Sequence, residues 1–369
     1  MTQARVGLIG CGHIGAFHSK AIRQVQRREL LDVAYVAVAD REVERARSFA
    51  ALAGVPRVTG DPYELIASSE VNAVYICTHT AEHPALVAAA ARAGKAIFCE
   101  KPLARTLAEV REMVRAVEEA GVPNQVGLVL RHAPVFVVLR ALLADERAGR
   151  PMAVSFRDDQ FFPVGGEYDS TWRGEFAAAG GGTLIEHSIH DVDLLRWLLG
   201  EAEQVSAVVR CVSGRAGVED VAMVRIEHAG GAVANLSSVW HEVRSRGSDR
   251  GVEVFCEHAY FALWDDYLGP LYVDYGDGTG TREISRDEVL ARHVERAGLG
   301  EAGTRLGDAA RGDFAPRYGL EDLAFLRAVT EGVPAWPGFG EALAAHVIVD
   351  AAYRSAAAGG TPVRLTPRE

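Results

Sequence analysis

Residues 5–15 of the chain read RVGLIGCGHIG, a short apolar run that ends in the pattern G-x-G-x-x-G. The apolar run predicts a buried strand, and the glycines after it predict a tight turn into a helix. Gly10 would form that turn, Gly12 would let the backbone approach a pyrophosphate, and Gly15 would let the helix pack on the strand. The free N–H groups at the start of the helix would face the phosphates. The stretch therefore predicts a nucleotide-binding turn.

The sequence after this turn continues the alternation of strands and helices. Apolar runs such as AYVAVAD, AVYICT and AIFCE are separated by helical patterns, which predicts an α/β domain with a parallel, doubly wound sheet. The second strand ends in Asp40, whose carboxylate could accept hydrogen bonds from both adenosine-ribose hydroxyls. Asp40 favours NAD because a carboxylate would repel a 2′-phosphate. Arg41 could bind that phosphate, so NADP remains open.

The composition limits what the chain binds and where it works. Its 369 residues are 49% hydrophobic and 24% charged, as in soluble globular proteins of two domains. The formal net charge of −11 argues against nucleic acid or an anionic membrane as the main partner. We see neither a signal peptide nor the about 18 apolar residues that a membrane span needs. The five cysteines form no CxxC pair, which favours a cytoplasmic location.

Beyond Pro123 the helices become fewer and the strands change character. Runs such as AVSFRDDQF and AVANLSSVWHEV predict an α+β domain built on one open-faced, mainly antiparallel sheet. We expect a dinucleotide-binding domain at residues 1–124 and a substrate-binding and oligomerisation domain at residues 125–369. An open sheet face is often covered by self-association, so we expect a homodimer or homotetramer formed through this sheet.

The fifth strand of the first domain ends in Glu100-Lys101-Pro102. The carboxyl ends of strands in such sheets face the ligand crevice, so the ammonium of Lys101 would lie near the reactive end of a cofactor. A lysine there could relay a proton or polarise a hydroxyl. From position alone, a solvated Lys–Glu pair in a loop fits equally well.

The stretch from Gly180 to Trp197, GGGTLIEHSIHDVDLLRW, combines ligand-type side chains with three glycines. We expect one continuous helix from Thr183 to Leu199, ended by Gly200. On such a helix Glu186, His190 and Asp193 share a face, whereas His187 points about 100° away from Glu186.

Three interpretations of this helix remain at this point. The orientation of His187 and the lack of an HExxH pattern or cysteine cluster disfavour a metal site, so we expect none. The histidine could simply be hydrogen-bonded on a polar helix face. The third interpretation is acid–base catalysis, in which Glu186 orients the ring of His190 or raises its pKa.

The order of these motifs resembles the Gfo/Idh/MocA family, named after glucose–fructose oxidoreductase, inositol dehydrogenase and a rhizopine catabolism protein. The resemblance covers essentially the whole chain and rests on GCGHIG, CTHTAEH, EKPLA, GLVLRH, STWR and GGGTLIEHSIHDVDLLRW. It implies an enzyme that uses NAD, or NADP, to oxidise or reduce a secondary alcohol or ketone of a sugar, cyclitol or related polyol. The first domain would bind the cofactor, and the open sheet would form oligomer contacts.

Carried over to this sequence, the resemblance implies that Lys101 contacts the reacting hydroxyl and that His190 exchanges its proton as general acid/base. Glu186 would hold or share protons with His190, and it stands where the family usually has Asp. Ser188 stands where glycine is common, and Leu130 occupies a position that is polar in some inositol-oxidising members. These departures put inositol itself in doubt and keep the wider sugar class.

The motif matches also imply binding residues. Thr78 and His83 match a cofactor-side T-P-x-x-x-H motif in which His79 replaces the proline, and Trp172 and Arg173 match a W-R pair beside the substrate. The residues expected to bind the cofactor are Gly10, Gly12, His13, Ile14, Gly15, Asp40, Arg41, Thr78, His79, His83, Glu100 and Lys101. Those expected to contact the substrate are Arg131, Asp159, Gln160, Tyr168, Trp172, Arg173, Glu186 and His190.

Two other functions are compatible with the same motifs. The chain could hold NAD tightly and use it transiently in a redox-neutral hydrolase or lyase reaction. It could also be a non-catalytic sensor of NAD or a sugar. The presence of Lys101, His190 and Glu186 together argues against a sensor, because a sensor needs no proton relay.

Overall fold

A computed structural model describes residues 2–165, 168–265, 267–296 and 316–366. The chain divides into two compact units, one formed by residues 1–129 and 305–343 and the other by residues 130–304 and 344–369. The sequence-based boundary at residue 124 is therefore wrong in two respects: it cuts the last strand of the first sheet, and it assigns a later helix to the second domain.

The described residues form fifteen β-strands and, besides short 3-10 turns, twelve α-helices. The strands are β1 Ala4–Ile9, β2 Val33–Ala39, β3 Arg57–Thr59, β4 Ala73–Ile76, β5 Ala96–Cys99, β6 Asn124–Val126, β7 Pro151–Phe161, β8 Ala202–Arg210, β9 Val221–His228, β10 Val233–His241, β11 Asp249–Cys256, β12 Tyr260–Leu263, β13 Leu271–Asp274, β14 Arg282–Ile284 and β15 Val363–Arg364. The helices are α1 His13–Arg27, α2 Val43–Ala53, α3 Pro62–Ala67, α4 His83–Arg92, α5 Leu107–Ala120, α6 Pro134–Leu143, α7 Phe176–Ala179, α8 Thr183–Glu186, α9 Ile189–Leu199, α10 Arg286–Arg296, α11 Pro316–Glu331 and α12 Phe339–Ala357.

The first unit contains the predicted doubly wound sheet. Its six strands are all parallel and lie in the order β3-β2-β1-β4-β5-β6, so the order reverses between β1 and β4. β4 and β5 are buried throughout, which explains their continuous apolar sequences. Ligands of such sheets bind beyond the carboxyl ends of the strands, next to the reversal in strand order.

Helix α11 belongs to this first unit although it lies late in the sequence. Its Tyr318 ring stacks on Phe17 of α1, with the ring centroids 5.0 Å apart. Its buried Asp322 lies 3.0 Å from His18, also on α1. The sequence did not predict this return of the chain, because nothing near residue 316 resembles a strand–helix unit.

The second unit contains the predicted open-faced sheet. Its nine strands lie in the order β14-β13-β12-β11-β7-β10-β9-β8-β15, and only β7 and β10 pair in parallel. Along β7, Val154, Phe156 and Asp158 are buried, whereas Ser155 is exposed and Arg157 is partly exposed. One sheet face therefore lies against helices, among them α8 and α9, and the other face is largely open.

The run GVEVFCEHAYFAL lies in β11 and β12, which pair antiparallel across a short turn. None of the helices within the described ranges has an apolar stretch long enough to cross a membrane.

Candidate active site

The glycine turn joins β1 to α1 as the motif predicts. Gly10 has φ of +98°, and a Cβ there would lie 2.5 Å from the carbonyl oxygen of Cys77. A Cβ on Gly15 would lie 2.1 Å from the carbonyl oxygen of Gly10, so the helix starts directly against the turn. A Cβ on Gly12 would meet nothing within 4 Å, and no described side chain caps the start of α1. Open space beside uncapped helical N–H groups fits the pyrophosphate of a dinucleotide.

Asp40 lies at the carboxyl end of β2, where a ribose-binding acid is expected. Its Oδ2 accepts hydrogen bonds from the backbone N–H of Cys11 at 2.8 Å and from Arg45 Nε at 3.0 Å. Its Oδ1 accepts from the N–H of Glu42 at 2.9 Å and from Arg45 Nη2 at 2.6 Å. Burial acts to raise the pKa of Asp40, but the Arg45 and backbone hydrogen bonds outweigh it, so that pKa lies below its ordinary value. Arg45 was not among the sequence-based candidates.

Two other predicted cofactor residues lie at the end of β4. Thr78 and His79 are partly exposed. His83, in contrast, is buried, with Nδ1 3.0 Å from the carbonyl oxygen of Pro102 and Nε2 3.2 Å from that of Thr78. His83 therefore fixes the loop after Lys101 to the end of β4, and its expected contact with the cofactor is not supported.

Lys101 follows the carboxyl end of β5, as predicted. The backbone N–H of Lys101 donates to Glu100 Oε2 at 3.0 Å, and Glu100 Oε1 lies 2.9 Å from His18 Nε2. Glu100 is buried and its carboxylate contacts His18 and the Lys101 backbone, so the expected cofactor contact of this side chain is not supported. It instead ties the Lys101 backbone to α1, the helix that begins at the glycine turn.

His18 joins two buried carboxylates. Its Nδ1 lies 3.0 Å from Asp322 Oδ1 on the opposite side of the ring from Glu100. Burial acts to lower the pKa of His18, but Asp322 and Glu100 outweigh it, so that pKa lies well above its ordinary value. The pattern gave one overlooked signal: His18 falls three residues after Gly15, on the face of α1 that packs inward.

The stretch Thr183–Leu199 is not one helix, and the expected shared face of Glu186, His190 and Asp193 is wrong. Helix α8 ends at Glu186 and α9 begins at Ile189. The N–H of Ser188 bonds to the carbonyl oxygen of Thr183 at 2.8 Å, a wider turn than an α-helix makes. The hydroxyl of Ser188 lies 2.8 Å from Asp158 Oδ2 and 2.6 Å from the hydroxyl of Ser238. Hydrogen bonds to the sheet thus accompany the break in the helix.

His190 is the second residue of α9 and is 8% exposed. Glu186, at the end of α8, is fully buried in its side chain and accepts a hydrogen bond from Arg173 Nε at 3.2 Å. The Arg173 guanidinium also lies over the ring of Trp172, 4.8 Å from its centroid. The W-R pair therefore reaches Glu186, although it lies in a separate turn thirteen residues earlier.

A buried charged network lies under the break between α8 and α9. Asp158 on β7 contacts His187 Nε2 at 3.1 Å and Arg250 Nη2 at 3.3 Å, and Arg250 Nε donates to Asp191 at 2.8 Å. Burial acts to raise the pKa of Asp158, but Arg250 and His187 outweigh it and hold that pKa below its ordinary value. Burial and the charge of Asp158 hold the pKa of Asp191 well above its ordinary value. His187 thus faces the sheet, in keeping with its predicted separation from Glu186.

Two of the predicted substrate contacts, Arg131 and Asp159, form ion pairs within the protein. Arg131 forms a bidentate, buried ion pair with Asp193, at 2.7 and 2.6 Å, so Asp193 serves to anchor Arg131. Asp159 lies on the open face of the sheet and binds Arg157 and Arg246. The alternation of β7 places Asp158, and not Asp159, toward α8 and α9, so a substrate contact by Asp159 stays a prediction.

The other predicted contacts lie on the helix side or in the preceding loop. Gln160 lies two residues after Asp158 on β7 and therefore points to the same face of the sheet. It accepts a hydrogen bond from Trp240 Nε1 at 3.2 Å. Tyr168 is partly exposed in the loop before the 3-10 turn Thr171–Gly174 that carries Trp172 and Arg173.

The triple-glycine turn is held by Glu219, which the sequence reasoning missed. Its carboxylate accepts from the N–H groups of Gly182 at 2.7 Å and Leu184 at 3.0 Å and from the hydroxyl of Tyr353 at 2.8 Å. A Cβ on Gly182 would lie 1.8 Å from the carbonyl oxygen of Glu219. The glycine is thus required by close contact between two backbone segments at the start of α8.

Among the described residues, His18, Glu100 and Glu321 bring ligand-type atoms close enough to hold a metal ion. Both His18 nitrogens, however, already have hydrogen-bond partners, Asp322 at 3.0 Å and Glu100 at 2.9 Å. The cluster has the geometry of a buried ion pair.

Comparison with known proteins adds a second line of evidence. Residues 4–128 match the family model described as an oxidoreductase family with an NAD-binding Rossmann fold, and residues 136–262 match the GFO/IDH/MocA C-terminal domain. Together the two matches cover more than half of the chain. The chain belongs to the Gfo/Idh/MocA oxidoreductase family. The resemblance found in the sequence is therefore confirmed, and the protein is an NAD-dependent oxidoreductase.

Several relatives are similar over most of the chain. Inositol 2-dehydrogenase of Rhizobium meliloti (strain 1021) is 30% identical over 96% of this chain and 97% of its own length. The NAD(+)-dependent scyllo-inositol 2-dehydrogenase of Bacillus subtilis (strain 168) is 32% identical over 66% of this chain and 70% of its own. A solved structure of levoglucosan dehydrogenase with NADH and levoglucosan is 25% identical and has a TM-score of 0.85. The match covers 98% of this chain and 99% of the levoglucosan dehydrogenase chain.

Proposed function

We propose that this protein is a dehydrogenase that oxidises a secondary alcohol of a sugar, cyclitol or related polyol with NAD. The observation that carries the proposal is the position of Lys101 at the carboxyl end of β5, tied through Glu100 and His18 to the helix of the glycine turn. The inositol and levoglucosan dehydrogenases among its relatives support the substrate class.

In the oxidative direction the reacting group loses one proton and one hydride. His190 takes the proton of the hydroxyl, and the ammonium of Lys101 donates a hydrogen bond to the oxygen as its negative charge develops. NAD, when bound at the glycine turn, supplies the acceptor for the hydride that leaves the carbinol carbon. The products are a ketone, NADH and a proton, so atoms and electrons balance.

Glu186 is held in a fixed position by Arg173. Arg173 holds the Glu186 carboxylate at 3.2 Å, and the side chain is fully buried. We infer that this ion pair fixes the position of the Glu186 carboxylate at the end of α8, just before the first turn of α9, which carries His190. The added methylene of Glu186, compared with the Asp that the family resemblance implies, extends the reach of its carboxylate toward Arg173.

The test is a panel of polyols with NAD, including myo-inositol, scyllo-inositol and levoglucosan, followed by the absorbance of the reduced nicotinamide. Growth of that absorbance with at least one polyol supports a dehydrogenase. Product formation without reduced cofactor would point to the redox-neutral alternative. Binding of NADH with no turnover of any polyol would point to a sensor.

We further propose that the protein self-associates through the open face of the nine-stranded sheet. Val208, Met223, Phe255 and Trp264 are 43%, 46%, 48% and 50% exposed on the second unit. A groove of about 610 Å³ crosses β7–β11 on this unit and includes Met223 and Trp264. Such an apolar surface suits a second copy of the chain. Light scattering should give the mass of a dimer or tetramer, and Met223→Arg should shift it toward that of the monomer.

A further inference from the structure

The carboxylate of Asp40 is fully engaged by the protein itself. A carboxylate has about four positions at which it accepts hydrogen bonds. The N–H groups of Cys11 and Glu42 fill two of them, and Arg45 Nε and Nη2 fill the other two. The Asp40 side chain is only 4% exposed, so water has little access to it.

This arrangement treats the two forms of the cofactor differently. The adenosine ribose of NAD must donate its hydroxyl protons to an acceptor, so it has to displace Arg45 from at least one Asp40 oxygen. The 2′-phosphate of NADP needs donors and positive charge. Arg45, whose side chain is 49% exposed, provides both once it turns from Asp40 toward solvent.

We propose that Arg45 determines cofactor selectivity by neutralising Asp40 and binding a 2′-phosphate, so that the ribose site accepts NADP as well as NAD. The inference rests on the proposed function only in assuming that the glycine turn holds a nicotinamide dinucleotide. It concerns binding and not turnover, so it holds whichever polyol is the substrate.

The neighbouring cations are less suited to this role. Arg41 points its guanidinium toward Glu82, 3.3 Å away, and is 64% exposed. Arg47 lies on the same helix as Arg45 but binds Glu44. Among these three arginines, only Arg45 contacts Asp40, so its loss changes both the charge and the hydrogen-bond capacity of the expected ribose site.

The test is the affinity of the full-length protein for NADH and for NADPH, measured separately by nicotinamide fluorescence at low ionic strength. The wild type should bind both. Arg45→Ala should weaken NADPH binding about fivefold, the effect of one partly exposed ionic contact. The same variant should bind NADH as well as the wild type or more tightly, because the competitor for Asp40 is gone.

Arg47→Ala is the matched control, since it removes one positive charge from the same helix away from Asp40. Its ratio of NADPH to NADH affinity should stay within twofold of the wild type. Arg45→Ala retains two backbone N–H donors on Asp40, so the fold should persist, and an unchanged thermal midpoint will verify this. An affinity ratio that moves less than twofold in Arg45→Ala, or a wild type that binds NADH but not NADPH, would overturn the proposal. A wild type that binds neither would overturn it together with the proposed function.

Discussion

His18 Nε2 lies 2.9 Å from Glu100 Oε1, so an imidazole on the helix after the glycine turn contacts the residue that precedes Lys101. The opposite ring nitrogen lies 3.0 Å from Asp322. All three side chains are buried. The strand end that carries the lysine and the helix that begins at the cofactor turn are therefore joined by an internal ion pair.

Replacing His18 should destabilise the first unit strongly. His18→Gln leaves Glu100 and Asp322 buried without a cation between them, and removal of one partner from a buried ion pair costs about 3–5 kcal/mol. The measurement is the free energy of unfolding in urea. Lys20→Gln, an exposed position on the same helix, is the control and should change that free energy by about 0.5 kcal/mol or less. A loss in His18→Gln no larger than the control's would contradict the ionic role of His18.

The same ion pair predicts a pH dependence. The folded-state pKa of His18 is raised above its unfolded value of about 6.5. Its contribution to stability is therefore fully present below about pH 6.5 and is lost as the pH rises toward the folded pKa. The difference in unfolding free energy between the wild type and His18→Gln should shrink from pH 6.5 to pH 9, by at most about 1.4 kcal/mol per pH unit. A difference that grows with pH over this range would show the assigned charge to be wrong.

Gly182 should tolerate no larger residue. Gly182→Ala puts a Cβ 1.8 Å from the backbone oxygen of Glu219, and the clash should cost about 2 kcal/mol or more of stability. Gly230→Ala is the matched control in the same unit, because the nearest atom to its Cβ lies 3.8 Å away. Thermal unfolding of both variants tests the prediction, and equal midpoints would refute the close contact at Gly182.

Arg173 should act on catalysis through Glu186. If so, Glu186→Gln and Arg173→Gln each lower kcat/KM, and the double variant is no slower than the slower single one. Glu186→Asp withdraws the carboxylate by one methylene and should lower kcat/KM about tenfold. Losses that simply add in the double variant would mean that Arg173 has a separate role, such as binding substrate directly.

His190 and His187 offer a paired test of the acid–base assignment. His190→Ala should lose at least about tenfold in kcat while NADH still binds, because general acid–base catalysis contributes about 10²–10⁴-fold. His187 faces Asp158 under the helices, so His187→Ala should lower stability more than kcat. Lys101→Ala is expected to be slower than His190→Ala. A normal kcat in His190→Ala would remove that residue from the mechanism.

The sequence predicted the parallel, doubly wound sheet and the glycine turn because both depend on local patterns. The alternation of apolar strands and helices determines the first, and the steric needs of Gly10 and Gly15 determine the second. It did not predict the helix break at Ser188, which depends on hydrogen bonds to residues on β7 and β10 that lie far away along the chain. For the same reason it missed the pairing of Glu100 with His18, which lie 82 residues apart. The pairing of Asp40 with Arg45 was also missed, although these residues lie only five apart.

The sheet face on which a single residue lies is also hard to predict from the sequence. The prediction of Asp159 as a substrate contact did not use the alternation of β7, which turns its neighbour Asp158 toward the helices. Partners of charged residues are poorly encoded in a local pattern, because ion pairs form between segments that only the tertiary fold brings together.

The most direct test of the central claim is transfer of deuterium from substrate to cofactor. Each polyol of the panel, deuterated at its ring carbinol carbons, is incubated with the wild-type enzyme and NAD, and the reduced nicotinamide and the product are analysed by mass spectrometry. The account predicts one deuterium in NADH for each ketone formed, and about a hundredfold slower transfer in Lys101→Ala. Product that forms without accumulation of deuterated NADH would contradict it.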